Sequence, residues 1–315
     1  MKIIIDRDIP FLEDIFPKNM QVLHLASESI TPEIVRDADA LFVRTRTPIN
    51  ANLLQGSSVR YVATATIGFD HIDQDYCRQA GIHWVSCPGC NAQAVCDYVE
   101  EAISSIKLGK SDITIGIIGY GHVGKLVAQM AEKKGYRVLL SDPPLGIGSS
   151  LQEIAPLCDI LTFHTPLTHK GEHPTHHLCN ATILRLCKPD VLIINASRGG
   201  VVDEKAIIEH LTHTPTTQIV IDCWENEPLV NSTLLQRADL ASFHIAGYSI
   251  QGKMNASEMC LRAFCEFFSL PILSINKKVV PLQGDSEPGW LKRISAQLKA
   301  APEHFEQLRK QYKLR

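Results

Sequence analysis

Residues 113–142 read ITIGIIGYGHVGKLVAQMAEKKGYRVLLSD and contain the strongest structural signal in the chain. The stretch opens with a short, β-branched apolar run that ends in glycine, which indicates a buried parallel strand rather than a helix. Gly119, Gly121 and Gly124 follow at the G-x-G-x-x-G spacing. The first glycine permits a tight turn, the second lets the backbone approach a pyrophosphate, and the third allows the next helix to pack closely. We predict that this helix begins near His122 and that its amino end faces the phosphates of a dinucleotide.

A carboxylate follows these glycines at the distance that dinucleotide-binding proteins use. A second β-like run, residues 137–141, ends beside Asp142. At about 20 residues beyond the glycines, a carboxylate can accept hydrogen bonds from both ribose hydroxyls. Pro143 and Pro144 come next instead of an arginine, so a 2′-phosphate would meet a negative charge, and NAD is favoured over NADP. Glycines between a strand and a helix often serve only the turn, so a methyltransferase-type or purely structural unit is the alternative.

The composition is that of a globular protein without an unusual charge. The chain has 315 residues, 45% of them hydrophobic and 21% charged, which is enough for two domains that each bury a core. A net charge of -3 provides no electrostatic footprint for nucleic acid or an anionic membrane. The apolar run at residues 3–5 is too short for a signal-peptide core, and no run approaches the roughly 18 residues of a membrane span. The ten cysteines are scattered, which favours reduced thiols and a cytoplasmic location.

Strand-like and helix-like stretches alternate along the chain, which predicts an α/β protein. We expect two Rossmann-like or flavodoxin-like domains with parallel sheets, a cleft between the domains and a short C-terminal extension. Residues 1–92 are predicted to form a substrate-binding domain, completed by a helix near 255–269; residues 93–252 form an NAD-binding Rossmann domain, and residues 270–315 a shortened, dimerisation-like extension. The predicted strands are 2–5, 22–25, 40–43, 61–65, 82–85, 113–118, 137–141, 159–163, 191–195, 219–222 and 240–243, and the predicted helices include 32–37, 50–54, 73–80 and 92–109.

Polar residues follow two predicted strands of the first domain, at the edge where open α/β sheets bind ligands. Arg44, Thr45 and Arg46 come after one strand, and Thr66 comes after the next. Two guanidinium groups and a hydroxyl suit a phosphate or a carboxylate, to which each charge-assisted hydrogen bond contributes about 1.5–3 kcal/mol. From spacing alone, we favour the simpler interpretation, an edge strand protected by its charges.

Two further patterns have weaker functional interpretations. Cys87 and Cys90 form a C-x-x-C, but the dinucleotide-binding unit just downstream argues against a redox dithiol. Residues 164–177 include five histidines, of which His173 and His177 have an i, i+4 spacing that could suit a metal. The proline between these two histidines argues against a continuous helix, and no carboxylate or cysteine set completes a site, so we predict no metal.

Later strands end in residues suited to the oxidation of an alcohol by NAD. Such a reaction needs a base for the hydroxyl proton, a group that holds the substrate, and a carbon placed against the nicotinamide. His244 is the best base because histidine titrates near neutral pH, and Glu227 can bind its far ring nitrogen and fix its tautomer. Arg198 can hold a substrate carboxylate through its fork of donors. The alternatives are that Arg198 caps a strand end, that Glu227 is a loop charge, and that His244 is a buried, hydrogen-bonded residue.

Four segments together resemble the D-2-hydroxyacid dehydrogenase superfamily: GYGHVG at 119–124, ASRGGVVD at 196–203, DCWENEP at 222–228 and HIAGY at 244–248. The resemblance covers almost all of residues 1–270. More narrowly, ATIGFDHID at 65–73, PGCNAQAV at 88–95, LTFHTPL at 161–167 and HIAGYS at 244–249 resemble the erythronate-4-phosphate dehydrogenase family. The narrower resemblance implies NAD-dependent oxidation of 4-phospho-D-erythronate to 2-oxo-3-hydroxy-4-phosphobutanoate, in pyridoxine 5′-phosphate biosynthesis, by a homodimer.

The resemblance also implies roles for individual residues. Arg198 and Glu227 match the family's active-site arginine and glutamate, and His244 matches its proton donor. The implied NAD contacts are Gly119, Gly121, His122, Val123, Gly124, Asp142, Thr165, Ala196, Asp222 and Gly247. The implied substrate contacts are Thr45, Thr66 and Tyr248, and a phosphorylated substrate strengthens the functional interpretation of Arg44 and Arg46.

Two departures and two rival functions accompany this resemblance. Threonine stands at position 45 where serine is expected, which keeps the hydroxyl. The C-terminal region is shorter than the dimerisation domain expected in the family, although FEQLRKQY at 305–312 resembles part of it. One rival function is that of another superfamily member, such as a 3-phosphoglycerate dehydrogenase or a hydroxypyruvate reductase. The other is an NAD-sensing corepressor that keeps the same active-site residues.

Overall fold

The computed structural model describes residues 1–106, 111–275, 287 and 289–314 of the chain. They divide into two compact units. The first unit contains Met1–Asn91 and residues 249–275, and the second contains Ala92–Tyr248, residue 287 and residues 289–314. The end of the helix predicted at 92–109, from residue 107 onward, lies outside the described residues, as do residues 276–286, 288 and 315 of the predicted extension.

A five-stranded parallel sheet forms the centre of the first unit. Its strands are β1 (Lys2–Asp6), β2 (Gln21–Leu25), β3 (Ala40–Val43), β4 (Tyr61–Thr64) and β5 (His83–Val85), in the order β2-β1-β3-β4-β5. Helices α1 (Pro32–Val35), α2 (Ala51–Leu54) and α3 (Gln74–Gln79) connect the later strands. Every residue of β3 and β4 is buried, as expected for central strands of a parallel sheet that is covered on both faces.

A seven-stranded sheet forms the centre of the second unit. Its strands are β6 (Thr114–Ile118), β7 (Arg137–Asp142), β8 (Ile147–Gly148), β9 (Ile160–Phe163), β10 (Leu192–Asn195), β11 (Gln218–Ile221) and β12 (Leu240–Ala241). Its helices in this part of the chain are α4 (Ala92–Ser105), α5 (His122–Lys133), α6 (Leu151–Ile154), α7 (Ala181–Leu186), α8 (Glu204–His213) and α9 (Ser232–Arg237). All neighbouring strands are parallel except the pair β7 and β8.

The strand order of the second unit, β12-β11-β10-β9-β6-β7-β8, reverses direction at β6. From β6 the chain first adds β7 on one side and then returns to add β9 on the other side. Open α/β sheets bind ligands in the crevice at the carboxyl ends of the strands where the order reverses. In this unit the crevice lies between the loops that follow β6 and β9, which are the glycine loop and the HTP segment at 164–166.

The chain then returns to the first unit in helix α10 (Ile250–Phe267), which begins five residues before the predicted start at 255. The side chain of Ser249 accepts a hydrogen bond from the Gly252 N–H at 3.0 Å and so caps this earlier start. The core of the first unit includes Phe264 of this helix, whose ring lies 5.4 Å from that of Phe42 on β3. Helix α10 is therefore part of the first unit's core.

Two more helices, α11 (Trp290–Ala300) and α12 (Phe305–Gln311), belong to the second unit. Trp290, Leu291 and Leu298 of α11 are buried in its core, and Phe305 of α12 is 1% exposed. Residues 289–314 of the predicted extension thus belong to the dinucleotide-binding unit, whereas residues 270–275, which the prediction placed in the same extension, belong to the first unit. Among the described residues, no helix is long and apolar enough to cross a membrane.

The predicted α/β class with two parallel sheets is confirmed. Each predicted strand is present with bounds that differ by at most two residues, as at β12, which ends at Ala241 rather than at residue 243. The short strand β8, the short helices α6, α7 and α9 and the longer helices α8 and α11 were not predicted from the sequence. Polar caps were an available signal for the short helices: Ser150, Asn180 and Asn231 each accept a hydrogen bond from the first turn of the helix that follows.

Candidate active site

The glycine loop joins β6 to α5 and has the geometry of a phosphate-binding turn. A Cβ added at Gly124 would lie 2.0 Å from the Gly119 carbonyl oxygen, so close packing of helix and strand requires glycine there. A Cβ added at Gly121 would meet nothing within 4 Å, so the protein itself does not require glycine at this position. Gly121 is the N-cap of α5, and no side chain in the described part of the chain caps this helix end. The N–H groups at the start of α5, at His122 and Val123, are therefore suited to an anionic group.

Two polar side chains lie beside this loop. Asp142, at the end of β7, accepts hydrogen bonds from the Tyr120 N–H at 2.7 Å and the Leu145 N–H at 3.3 Å. A carboxylate has about four acceptor sites, so these two bonds leave capacity for ribose hydroxyls. Thr165 follows β9, and its buried Oγ1 has no hydrogen-bond partner among the described residues. Buried hydroxyls normally find a partner, so Thr165 Oγ1 fits a polar ligand at the glycine loop.

His164, between β9 and Thr165, is not suited to act as an acid or a base near neutral pH, because burial lowers its pKa to about 3. Its Nε2 lies 3.0 Å from Thr162 Oγ1. The imidazole is therefore neutral over the physiological range. Ala196, another predicted cofactor contact, follows β10 and is 8% exposed.

His244 and Glu227 form a hydrogen-bonded pair. The Nδ1 atom of His244 lies 2.8 Å from Oε2 and 3.0 Å from Oε1 of Glu227. Because a carboxylate only accepts, Nδ1 carries the proton in this pair, and Nε2 has no hydrogen-bond partner among the described residues. Burial alone would raise the pKa of Glu227, but the hydrogen bond and charge of His244, the Trp224 N–H and Arg309 together hold it below its usual value.

A buried aspartate shapes the turn that carries His244. Asp222 is fully buried, and its carboxylate accepts hydrogen bonds from Ser242 Oγ at 2.7 Å and from the N–H groups of Ile245 and Ala246 at 2.8 and 2.9 Å. His244 lies between these anchors with φ 58°, in the left-handed region that non-glycine residues seldom adopt. The Asp222 carboxylate thus stabilises this turn through hydrogen bonds. The predicted contacts of Asp222 and Gly247 with NAD stay predictions.

Arg198 lies in the loop after β10, next to the strand that leads to Glu227. The side chain of Asn195 donates hydrogen bonds to the carbonyl oxygens of Arg198 at 2.9 Å and Cys223 at 3.3 Å, which ties this loop to the end of β11. A Cβ at Gly199 would lie 1.8 Å from the Trp224 carbonyl oxygen, so the close approach of the two loops requires glycine. Arg198 Nη1 donates to the Ser197 carbonyl at 2.8 Å, and its side chain is partly exposed.

The predicted substrate residues of the first unit follow β3 and β4. Arg44 donates to both carboxylate oxygens of the buried Asp6, at 2.9 and 3.0 Å, and it also pairs with Asp8. Burial raises the pKa of Asp6, but the hydrogen bonds from Arg44 and Ser27 outweigh it and lower the pKa overall. Arg44 therefore has a structural partner whatever else it binds. The edge-strand interpretation is wrong, because β3, which precedes Arg44, pairs with β1 on one side and β4 on the other.

Thr45 and Arg46 are exposed, and Thr66 Oγ1 donates to the Gly68 carbonyl at 2.9 Å. Lys253 on α10 is a further cation of this unit that was not predicted from the sequence. Burial lowers the pKa of Lys253 and the charge of Arg44 lowers it further, while Asp8 and Asp6 raise it. The available signal was a lysine in the first turns of a helix that directly follows HIAGYS.

The C-x-x-C motif has the surroundings of inert core thiols. Cys87 and Cys90 are buried, and burial together with the nearby Cys87 raises the pKa of the Cys90 thiol to about 12. Cys87 Sγ donates to carbonyl oxygens, including that of Thr64 at 3.4 Å. A thiol that stays protonated is a poor nucleophile, so these contacts favour a structural role.

Among the described residues, two groups of side chains could bring metal ligands together, with ligand atoms within 4.8 Å of one another: Cys223 with Glu227 and His244, and His177 with Asp203 and Glu225. In the first group, burial raises the pKa of the Cys223 thiol well above its usual value, and the other two residues bind each other. In the second, both ring nitrogens of His177 already face carboxylates. His173 is exposed and lies outside any helix, so the i, i+4 spacing does not place His173 and His177 on one helix face.

Together with this fold, the family match and the curated relatives show that the chain is a D-2-hydroxyacid dehydrogenase, an NAD-dependent oxidoreductase acting on CH-OH groups. Residues 99–246 match the family described as "D-isomer specific 2-hydroxyacid dehydrogenase, NAD binding domain". Among solved structures, the NAD⁺-bound 3-phosphoglycerate dehydrogenase of Entamoeba histolytica is similar with a TM-score of 0.73 and 24% identity, over 88% of this chain and 99% of that one. At that identity the likeness shows the fold alone.

Curated relatives place the chain more narrowly. The erythronate-4-phosphate dehydrogenase of Bacteroides thetaiotaomicron is 42% identical over 339 residues, covering 100% of this chain and 97% of the relative. That of Marinobacter nauticus is 41% identical over 284 residues, covering 86% of this chain and 74% of the relative. The chain belongs to the erythronate-4-phosphate dehydrogenase family. The expected shortness of the C-terminal region therefore depends on the relative chosen for comparison.

Proposed function

We propose that the protein oxidises 4-phospho-D-erythronate to 2-oxo-3-hydroxy-4-phosphobutanoate with NAD, in the biosynthesis of pyridoxine 5′-phosphate. Relatives that carry the name of this activity align over the whole chain. The observation that carries the proposal is the His244–Glu227 pair, with 2.8 Å between Nδ1 and the carboxylate and with Nε2 free of hydrogen bonds to the described residues. Oxidation of an alcohol requires such an oriented base with one available nitrogen.

NAD would be held by the second unit. The glycine loop and the first turn of α5 suit the pyrophosphate, and Asp142 suits the ribose. Three observations support this fit: α5 begins without a side-chain cap, a Cβ at Gly121 would meet nothing within 4 Å, and Thr165 Oγ1 is a buried hydroxyl without a described partner. Ala196, Asp222 and Gly247 are further proposed contacts. Bound NAD supplies the acceptor for the hydride that leaves C2 of the substrate.

The protein's own residues hold the substrate and move the proton. Arg198 binds the substrate carboxylate through two donors of its guanidinium group. His244 Nε2 takes the proton of the C2 hydroxyl as C2 becomes a carbonyl carbon. Glu227, on the far ring nitrogen, keeps Nε2 available as the acceptor and stabilises the imidazolium that forms. One proton on His244 and one hydride on the cofactor account for the two hydrogens removed from the alcohol.

The phosphate end of the substrate requires cations and hydroxyls. We assign this end to Arg44, Thr45, Arg46 and Thr66 of the first unit, with Tyr248 of the second unit as a further substrate contact. The exposure of Thr45 and Arg46 and the presence of Lys253 near Arg44 support this assignment. We also propose that the protein is cytoplasmic and acts as a homodimer. Light scattering on the purified protein tests the oligomeric state.

An assay of NADH formation by the purified protein tests the proposed function. We expect the highest kcat/KM with 4-phospho-D-erythronate and NAD. Removing the phosphate, as in D-erythronate, should lower kcat/KM by about 10- to 100-fold, because even one lost charge-assisted bond is worth that factor. The controls are 3-phosphoglycerate, D-lactate and NADP.

Each alternative function has its own result in this assay. A preference for 3-phosphoglycerate would identify another member of the superfamily, and equal rates with D-erythronate would contradict the phosphate site. NAD binding without turnover of any of these acids would favour the corepressor-type function.

A further inference from the structure

An arginine from the last described helix reaches the candidate catalytic residues of the second unit. Arg309, on α12, is 19% exposed. Its Nε donates a hydrogen bond to Tyr248 Oη at 3.0 Å, and its Nη1 lies 3.8 Å from Glu227 Oε2. Nη1 also donates to Glu306 Oε1, one turn earlier on the same helix, at 3.4 Å. The guanidinium group therefore joins the carboxylate behind His244 to a residue proposed to contact the substrate.

Helix α12 is held in this position by aromatic packing. The ring of Phe305 lies edge-to-face with that of Phe243 at 6.5 Å, and Tyr312 makes an edge-to-face contact with the same ring at 6.2 Å. The ring of Tyr312 also lies 6.4 Å from that of Tyr248. Phe243 directly precedes His244 in the chain. The two ends of α12 are thus packed against the segment that carries the proposed base.

The direction of the hydrogen bond to Tyr248 matters for its chemistry. Arginine only donates, so the Tyr248 oxygen is the acceptor of this bond. The bond therefore helps to hold the phenol oxygen of Tyr248 in place. The arginine also keeps a permanent positive charge near Glu227, which favours the carboxylate form that His244 needs.

We propose that Arg309 is a positioning residue of the dehydrogenase site, which acts through Tyr248 and Glu227. Through Tyr248 it holds a proposed substrate contact in place, and through Glu227 it keeps a negative charge behind His244. This inference rests on the proposed function. It makes α12 a part of the active site, in addition to any role of the C-terminal region in dimerisation.

Substitution of Arg309 tests the proposal, with its exposed neighbour as the matched control. We expect R309M to lower kcat/KM by about 10- to 100-fold, the range for one lost charge-assisted hydrogen bond. R309K should recover part of this loss, because an ammonium group keeps the charge but not the planar fork. K310M should leave activity unchanged, since Lys310 is exposed on the next position of α12. NAD affinity, measured by fluorescence titration, should be equal in all variants.

A double-mutant cycle separates positioning from simple support of the fold. If Arg309 acts through Tyr248, then R309M with Y248F should be far less defective than the product of the two single effects. If the double variant loses kcat/KM by the full product of the two single losses, the action through Tyr248 is overturned. A lowered Tm with unchanged kcat/KM in R309M would show that Arg309 only fastens α12, and would overturn the proposal.

The titration of the Glu227 carboxyl provides a readout that needs no substrate. Among the described residues, the charged or titratable groups around it are His244, Arg309 and Glu306 of α12, Glu204 of α8, and Arg198 and Cys223 of adjacent strand ends. The positive charge of Arg309 is one of the causes that lower the pKa of Glu227, so removing it lets the carboxyl retain its proton to higher pH. In R309M the NMR titration of the Glu227 carboxyl should therefore move to higher pH, whereas K310M should match the parent protein. An unshifted titration in R309M would overturn the action through Glu227.

The substrate assay keeps this inference distinct from the proposed function. If the parent protein prefers a different 2-hydroxy acid, the substrate assignment fails, and the same variants are compared on that acid. If no acid is turned over, the NMR titration alone decides the contact with Glu227.

Discussion

The second unit contains two histidines in nearly equal surroundings, His244 and His177. Both have left-handed backbone angles, with φ 58° and 53°, and both side chains are 33% exposed. His244 binds one carboxylate, Glu227, through Nδ1. His177 lies between two carboxylates, with Nε2 at 3.1 Å from Glu225 and Nδ1 at 3.5 Å from Asp203. Only His244 therefore keeps a ring nitrogen available for a substrate proton.

The carboxylates around His177 also have structural duties. Asp203 accepts a hydrogen bond from the Ala206 N–H at 2.9 Å and caps helix α8, and Glu225 accepts one from the Glu204 N–H at 3.0 Å. The backbone N–H of His177 donates to the Gly200 carbonyl. This group therefore ties the loop after β9 to the loops after β10 and β11. A histidine with a carboxylate partner is therefore a candidate base only when its second ring nitrogen has no carboxylate partner of its own.

Replacing each histidine by alanine should give the largest difference, because kcat should fall much further in H244A than in H177A. We expect H244A to lower kcat by about 10²- to 10⁴-fold, the range for loss of a general base. H177A should keep kcat within about 10-fold, because it affects the site only through the loops it joins. Steady-state kinetics with a saturating 2-hydroxy acid and NAD checks both values. Near-normal turnover of H244A, or an equal loss in H177A, would contradict the assignment of the base.

Changing the carboxylates to amides should give an intermediate difference. E227Q should lower kcat by about 10²-fold, because the amide neither stabilises the imidazolium nor selects the tautomer of His244. E225Q should instead lower the free energy of unfolding by about 1–3 kcal/mol, the cost of weakening a charged hydrogen bond of a partly buried group. Denaturant unfolding and kcat are measured on both variants, and we expect the loss of kcat in E227Q and the loss of stability in E225Q. A stable but inactive E225Q would contradict the structural role of the second group.

The smallest expected effect is on stability in acid. The folded-state pKa of Glu227 lies below its usual value of 4.5, so its contribution to stability is fully present above about pH 4.5 and is lost as the pH falls through the folded-state pKa. E227Q cannot titrate and should lack this part of the pH dependence. Unfolding by urea between mildly acidic and strongly acidic pH measures the difference between the two proteins. An E227Q curve parallel to that of the parent would contradict the lowered pKa.

The sequence predicted much of the fold because its signals are local. Short β-branched runs followed by polar residues located the strands, and the strand at 40–43 matches β3 in both bounds. The helix after the glycine loop begins at His122 as predicted. Helices of four to six residues give little periodic signal, so α1, α2 and α3 were predicted from their start signals, whereas α6 and α7 were missed although their polar caps identify them.

Part of the candidate site was also within reach of the sequence. Because parallel strands deliver their carboxyl ends to one edge, Arg198, Glu227 and His244 could be assigned to the strand ends that face the glycine loop side of the sheet. Arg44 was harder to judge, since its contacts with Asp6 and Asp8 depend on the conformation of the loop after β1. Arg309 was missed because helical spacing does not indicate which distant residue a side chain will contact.

The type of protein follows from residues close together in the chain: the glycine spacing, the carboxylate at the end of β7 and the polar strand ends indicate an NAD-dependent enzyme of this class. Which histidine keeps a ring nitrogen without a described partner, and which arginine contacts the carboxylate behind it, depends on the folded structure. His177 meets Glu225 across 48 residues and Arg309 meets Tyr248 across 61. Such contacts depend on the paths of loops and on unusual backbone angles, which no periodic pattern in the chain encodes.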